Sequence, residues 1–167
     1  MTELRTLSYG EQINYTGLIN GTGIYKLIKK WISENDYNHV ETMNEEHVYE
    51  DGRQILLELR PYKELSEYAK VEIKIDILFK KLQDVTITRN NLKHKTQKGE
   101  LEISFSTYII TDQEGQWTAK PTYFFLRTII EKFLYRGYIG KYEDTIISDK
   151  NDLMREIRSY LNMERFK

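Results

Sequence analysis

The chain has 167 residues, 40% hydrophobic and 31% charged, and its 25 basic and 26 acidic residues leave a net charge of −1. That length fits a single domain, residues 1–167, with a core of its own, and the near-neutral balance gives no general pull toward nucleic acid or membrane. Cysteine is absent, which excludes disulfides, thiolate catalysis, iron–sulfur clusters and Cys-ligated zinc. No signal-like leader and no run of roughly 20 apolar residues occurs, so no membrane span is expected and a cytoplasmic location is the default.

The first element expected is a strand from Gln12 to Ile19, ending at Asn20-Gly21-Thr22-Gly23. Ile24, Leu27, Ile28, Trp31 and Ile32 then recur at the spacing of one helical face, with Asn20 or Thr22 as cap and an end near Asn35. A strand from Val40 to Tyr49 meets a second around Ile55, Leu57 and Leu59 through Glu50-Asp51-Gly52-Arg53, whose Asp-Gly suits a tight hairpin. Val71, Ile73, Ile75, Ile77 and Phe79 alternate with mostly polar residues and form the clearest half-buried strand. Val85 and Ile87 open another strand that runs on through Arg89 to Lys93, and Leu101, Ile103, Phe105, Thr107 and Ile109 mark the next, against Glu102, Ser104, Ser106 and Tyr108. Short connections make these neighbours an antiparallel meander.

Pro121 opens a long helix whose stripe, Tyr123, Leu126, Ile130, Phe133 and Leu134, is expected to cover the apolar face of the sheet. Residues Gly137 to Ser148 read as a loop, and a terminal amphipathic helix follows over 148–163, capped by Ser148 and presenting Leu153, Ile157, Tyr160 and Leu161. The fold class is therefore α+β: an antiparallel sheet of five to six strands against a long C-terminal helix, with residues 12–136 as body and 148–163 as an appended helix. An isolated helix of that length is marginal in water, so it is expected to pack on its own domain.

This order of strand, helix, antiparallel strands and long helix resembles the helix-grip arrangement of START-like (SRPBCC) domains over residues 12–136. The resemblance implies a curved sheet wrapped around a helix, with room for a small molecule between them. Two segments, Trp117 to Thr128 and Tyr160 to Met163, also resemble parts of small archaeal proteins of unknown function, which implies no activity.

Charge is unevenly placed. Ser33 to Asp51 holds seven acidic residues and no Lys or Arg, whereas Lys80 to Lys98 holds six Lys or Arg against one Asp. His39, Glu41, Met43, Glu45 and His47 share one parity on a strand, but the two histidines would lie about 26 Å apart at 3.3 Å per residue, so a solvated acidic edge is the reading and no metal site is assigned. Asn20-Gly21-Thr22-Gly23 lacks the third glycine of a dinucleotide fingerprint and the Gly-Lys-Ser/Thr of a phosphate loop, so it reads as a turn and cap. No serine, histidine and acid fall into a nucleophile pattern. No catalytic residue and no cofactor is assigned, and the reading leans away from an enzyme.

Three functional readings remain. The first is a non-catalytic interaction module that docks a macromolecular partner, protein or second copy, through aromatic residues such as Phe124 and Tyr135 in a chain with 13 tyrosines. The second is binding of a lipid-like or aromatic small molecule in an apolar cavity between sheet and Pro121 helix, with Tyr108, Trp117, Tyr123 and Arg127 as ligand contacts. The third is an acidic partner or nucleic acid held by the basic hairpin, through Arg89, Lys93, Lys95 and Lys98. The lack of interleaved aromatics there argues against nucleic acid, and a solvated turn is the preferred reading of the hairpin.

Overall fold

A computed structural model describes residues 3–65, 69–89, 92–111 and 135–165; at residues 3, 89, 135–139, 164 and 165 it describes the backbone alone. The elements in chain order are β1 (Glu3–Ile19), α1 (Gly21–Glu34), β2 (Glu41–Tyr49), β3 (Gly52–Leu59), β4 (Tyr62–Glu64), β5 (Ala69–Arg89), β6 (Leu92–Thr111) and α2 (Tyr135–Arg165). The six strands form one antiparallel sheet in the order β1-β6-β5-β3-β2, with β4 added beside β5. The protein is an α+β fold, and the meander expected from the short connections runs from β2 through β6. β1 closes the far side by pairing with the last strand, which no local pattern announces.

The alternation in β5 and β6 sends one set of side chains into the core. Ile73, Ile75, Ile77 and Phe79 join Leu101, Ile103, Phe105 and Ile109, all nearly inaccessible to solvent. Both helices lie on this face. α1 contributes Ile24, Ile28, Trp31 and Ile32, with Leu27 only partly buried, and α2 contributes Ile146, Leu153, Met154, Ile157 and Leu161. Full burial of each aliphatic side chain stabilises the fold by about 1.5–3 kcal/mol before entropy is subtracted. Asn20 caps α1 by accepting a hydrogen bond from the Gly23 amide at 2.9 Å, and Asn35 ends the helix.

The C-terminal region departs from the expected layout. Residues 137–148 are helical, so α2 begins at Tyr135 and runs 31 residues, and Ser148 lies inside the helix instead of capping it. Tyr142, Ile146, Lys150, Leu153, Ile157 and Leu161 fall three or four residues apart on one inward-facing stripe, and this period overrides the loop-like Gly137 and Gly140. The helix packs on its own domain, as expected, touching β1, β5, β6 and α1. The helix expected from Pro121 to Leu134 lies outside the described residues.

The two central strands are also longer than their apolar stretches. β5 and β6 pair from Ala69↔Thr111 to Arg89↔Leu92, so the segments expected as two strands, around Val71 and Val85, are one. The ladder slips between Lys80 and Gln83, where Lys81 takes a φ of 51°. Such a bulge places two residues against one and re-aims the strand beyond it. Two glycines fit around it. A Cβ on Gly99 would lie 2.8 Å from the Lys80 carbonyl oxygen, and one on Gly52, at φ 135°, would lie 2.7 Å from the Lys81 carbonyl carbon. Backbone cannot yield there as a flexible side chain can. Gly52→Ala and Gly99→Ala are each expected to cost about 1–3 kcal/mol, measured as a lower urea midpoint; an unchanged midpoint would mean that the bulge backbone moves freely.

Candidate functional sites: a polar cleft and a projecting basic ribbon

The first site grows from the end of α1. Asp36 adopts a φ of 57°, a conformation Asp tolerates better than most residues, and the chain reverses so that Tyr37 stacks on Trp31 with ring centroids 5.5 Å apart. Asn38 then bridges to Tyr62 through two backbone hydrogen bonds, which ties this turn to β4. The Tyr37 hydroxyl donates to Asp149 of α2 at 2.8 Å. Lys63 of β4 lies 3.4 Å from the same carboxylate oxygen and 4.2 Å above the Tyr37 ring. Beside this triad is an open cleft of about 430 Å³, floored by Leu65, Val71 and Ile146 and rimmed by Tyr142 and Thr145.

Burial, reinforced by the hydrogen bond to Asp149, pushes the Tyr37 hydroxyl far above the usual phenol range. Tyr37 therefore stays protonated and acts as a donor, which suits a structural tie and rules it out as a general base near neutral pH. Asp152, one turn further along α2, accepts from the Trp31 indole at 3.3 Å. Asp149 thus ties α2 to the turn after α1 and to β4, and Asp152 ties it to α1.

A buried lysine closes the other side of the helix. Lys150 is 1% exposed and meets Glu11 and Ser8 of β1, and Ser8 is 3.0 Å from Thr107 of β6. β1 bulges twice between Thr6 and Glu11, with Gly10 at φ 67°, and the bulges aim Ser8 and Glu11 at the helix. Lys150 ties helix to strand through these two contacts, so the Ser8–Lys150 contact of 3.3 Å reads as anchoring.

The opposite face of the sheet carries charge. Glu58 and Asp76 are cross-strand neighbours, an arrangement of like charges that Lys74 relieves by contacting both at 3.0 and 2.9 Å. Arg60 joins Glu58 to the buried Glu72. A hydrogen bond from Thr42, followed by that from Arg60, pulls the Glu58 carboxyl down to about 2. Tyr108 lies on this face, in register with Thr6 and Glu72, and so stands outside the space between the sheet and α1 or α2. Its three expected companions, Trp117, Tyr123 and Arg127, lie outside the described residues, as does Phe124; Tyr135 is described only as the first residue of α2.

The second site is the outer half of the β5–β6 ladder. The basic hairpin expected over residues 89–98 is the end of a longer, regular two-stranded ribbon, its strands joined across residues 90–91. β1 stops at Ile19↔Gln97 and β3 reaches only Leu82, so from Val85 to Thr96 neither edge has a strand neighbour among the described residues. The Lys81 bulge also reverses which residues of β5 share the core side. Thr86 and Thr88 lie opposite Lys95 and Lys93 on the helix side, whereas Val85, Ile87, Leu92, His94, Thr96 and Lys98 lie on the other. Lys93, Lys95 and Lys98 are all exposed, and the ribbon splits them between two faces. Parity along β5 misses its reversal because it counts no bulge, whereas the split of the lysines follows the unbroken alternation of β6.

The acidic segment forms β2, an edge strand exposed at every residue. Its register slips between Glu41 and Met43, which breaks the shared parity expected from His39 to His47. Among the described residues no three His, Asp or Glu side chains converge as a metal site, and no helix is long and apolar enough to cross a membrane. No family model matches the chain, and no curated protein does.

The Glu58 network has a pH signature. A carboxyl lowered from 4.5 to about 2 contributes stability that is full above the higher value and lost as the pH falls toward the lower. Urea denaturation of the wild type between pH 5 and 2 is expected to lose on the order of 1–2 kcal/mol through this group, and Glu58→Gln should flatten that slope. Equal slopes in both proteins would remove Glu58 from the acid response.

Proposed function

We propose that the protein is a non-catalytic interaction module whose docking element is the β5–β6 ribbon. One observation supports this above the rest: among the described residues the ribbon leaves the sheet with no strand on either edge, and residues 85–99 hold four Lys or Arg and no acid. A two-stranded ribbon alone is barely stable in water, and its side chains add little to the core. Its cost is offset when something else binds it. Five residues at about 3.3 Å each, from Val85 to Arg89, carry the ladder roughly 16 Å past the last pair flanked by β1, which suits reaching a macromolecule.

Replacing residues 85–96 by Asn-Gly, which joins Asp84 to Gln97 through a tight turn, is expected to leave the melting temperature within a few degrees of wild type. The same variant should elute from immobilised heparin, a generic polyanion, at distinctly lower salt. Elution at the same salt would end the docking proposal.

The cleft beside Tyr37, together with the resemblance to START-like domains, favours a second reading as a small-molecule binder, for a ligand with an apolar body and one polar group. Native mass spectrometry of the purified chain should then show a co-purified adduct that disappears in Val71→Trp, which fills the cleft floor. An adduct-free wild type, together with no mass shift on adding a medium-chain fatty acid, would count decisively against it.

A further inference from the structure

We infer that the ribbon is built to lie in the major groove of double-stranded DNA, an inference that rests on the docking role proposed for it. The geometry comes first. Two paired strands are about 4.8 Å apart, and with side chains they match the roughly 12 Å width of the B-form major groove, which admits a two-stranded ribbon. The free length from Val85 to Arg89, five residues or roughly 16 Å, covers nearly half a helical turn of duplex.

The chemistry follows from the register. On one face the cross-strand pairs are Thr86↔Lys95 and Thr88↔Lys93, so a row of hydroxyls runs beside a row of ammonium groups. Both ammonium groups are donors with no acceptor capacity, matched to phosphate oxygens, and threonine hydroxyls add contacts to phosphates or base edges. A duplex offers one phosphate about every 1.7 Å along its axis, a continuous partner for such a row. An acidic peptide offers no comparable wall on both sides of a ribbon. Residues 85–99 contain no Phe, Tyr or Trp, so stacking of unpaired bases has nothing to act on and single strands are disfavoured. The deep, narrow major groove of duplex RNA excludes the ribbon on shape.

The placement of the acidic residues fits as well. Glu50 and Asp51 form the β2–β3 turn at the ribbon's base, where the Asp51 carbonyl accepts from Gln83 at 2.8 Å, and Asp84 is held by Arg53 at 2.9 Å. Lys93 lies several residues further out. The Debye length at 0.1 M salt is about 10 Å, so the tip's positive charge acts largely free of the near-neutral body behind it.

The test is fluorescence anisotropy on a labelled 24-base-pair DNA duplex from 50 to 200 mM KCl, with the matching single strand, the RNA duplex and a polyglutamate peptide as parallel probes. The wild type is expected to bind the DNA duplex in the micromolar range and more tightly than the other three probes. Lys93→Ala/Lys95→Ala should reduce the slope of log affinity against log salt by about 2, close to 0.9 per lysine. Lys93→Glu/Lys95→Glu should weaken binding at least about ten-fold at 50 mM. Equal binding to single strand or RNA duplex, or an unchanged salt slope in the alanine variant, overturns the groove assignment. Ribbon-dependent retention on heparin with binding to polyglutamate but not DNA leaves the docking role standing and sinks the DNA assignment alone. No ribbon-dependent binding to any polyanion removes both.

Discussion

The β5–β6 ladder is the constraint on which the rest of the molecule depends. Among the described residues it is the only pairing that reaches both the core and the ribbon; β1, β3 and β4 each attach to one of its two members, and β2 follows through β3. Its inner half, from Ala69 to Phe79 against Leu101 to Thr111, presents apolar side chains to two helices. Its outer half presents Thr and Lys to solvent on that same side. A single irregularity at Lys81 separates the two regimes, because one added residue reverses the face of everything that follows in β5. Without the bulge, Val85 and Ile87 would continue the core side past the point where the helices end. Gly52 and Gly99 allow the crowding the bulge demands, which makes two residues without side chains as decisive as any core residue.

What local pattern specifies was legible in the sequence; what distant residues specify was not. α1 could be placed to within a residue at each end because its cap, its stripe and its stop are all contiguous. The hairpin of β2 and β3 was legible for the same reason, with Glu50 and Asp51 as its two turn residues. The outer half of β5 was legible as a strand from Val85 and Ile87, but as one separate from the Val71 strand. The start of β6 reads as part of a basic hairpin because hydrophobic alternation fades there, yet backbone pairing continues without it. The N-terminal half of α2 was read as a loop because two glycines weigh against helix locally, by about 1 kcal/mol each. The stripe through Tyr142 and Ile146 docks on the body, and burial outweighs that cost. Of the candidate contacts, Lys93, Lys95 and Lys98 were found by charge alone, and their division between two faces follows the alternation of β6; that Lys93 and Lys95 share a face with Thr86 and Thr88 required the register. The Tyr37–Lys63–Asp149 triad joins residues 86 and 112 positions apart, and no spacing rule points to it.

The polar contacts between helices and sheet all carry position more than energy. Lys150, Asp149 and Asp152 lie within four residues on α2, and each reaches a different element: β1, the Tyr37 turn with β4, and α1. Apolar stripes slide and rotate at low cost, since one aliphatic contact replaces another. Three directional contacts on neighbouring residues fix both the rotation and the height of the helix. A buried lysine pair often adds little net stability against an apolar replacement of similar volume, so the arrangement is best understood as setting where α2 sits.

That fixed placement bears on the ribbon. Among the described residues α2 and α1 pack on the inner half of the ladder, so the outer half gains little from the core and depends mainly on its own hydrogen bonds. The contacts at its base, Arg53 to Asp84 and Gln83 to the Asp51 carbonyl, join it to the β2–β3 turn and orient it relative to the sheet. A projection that is held at its root and open along both edges keeps its backbone donors and acceptors in water at no loss, but it cannot lower the free energy of the fold by burial. Charged residues near its tip also keep the open edges from pairing with other copies, since lysine on an edge opposes strand addition. The same lysines therefore oppose edge-to-edge association between copies and leave exposed positive charge along the ribbon.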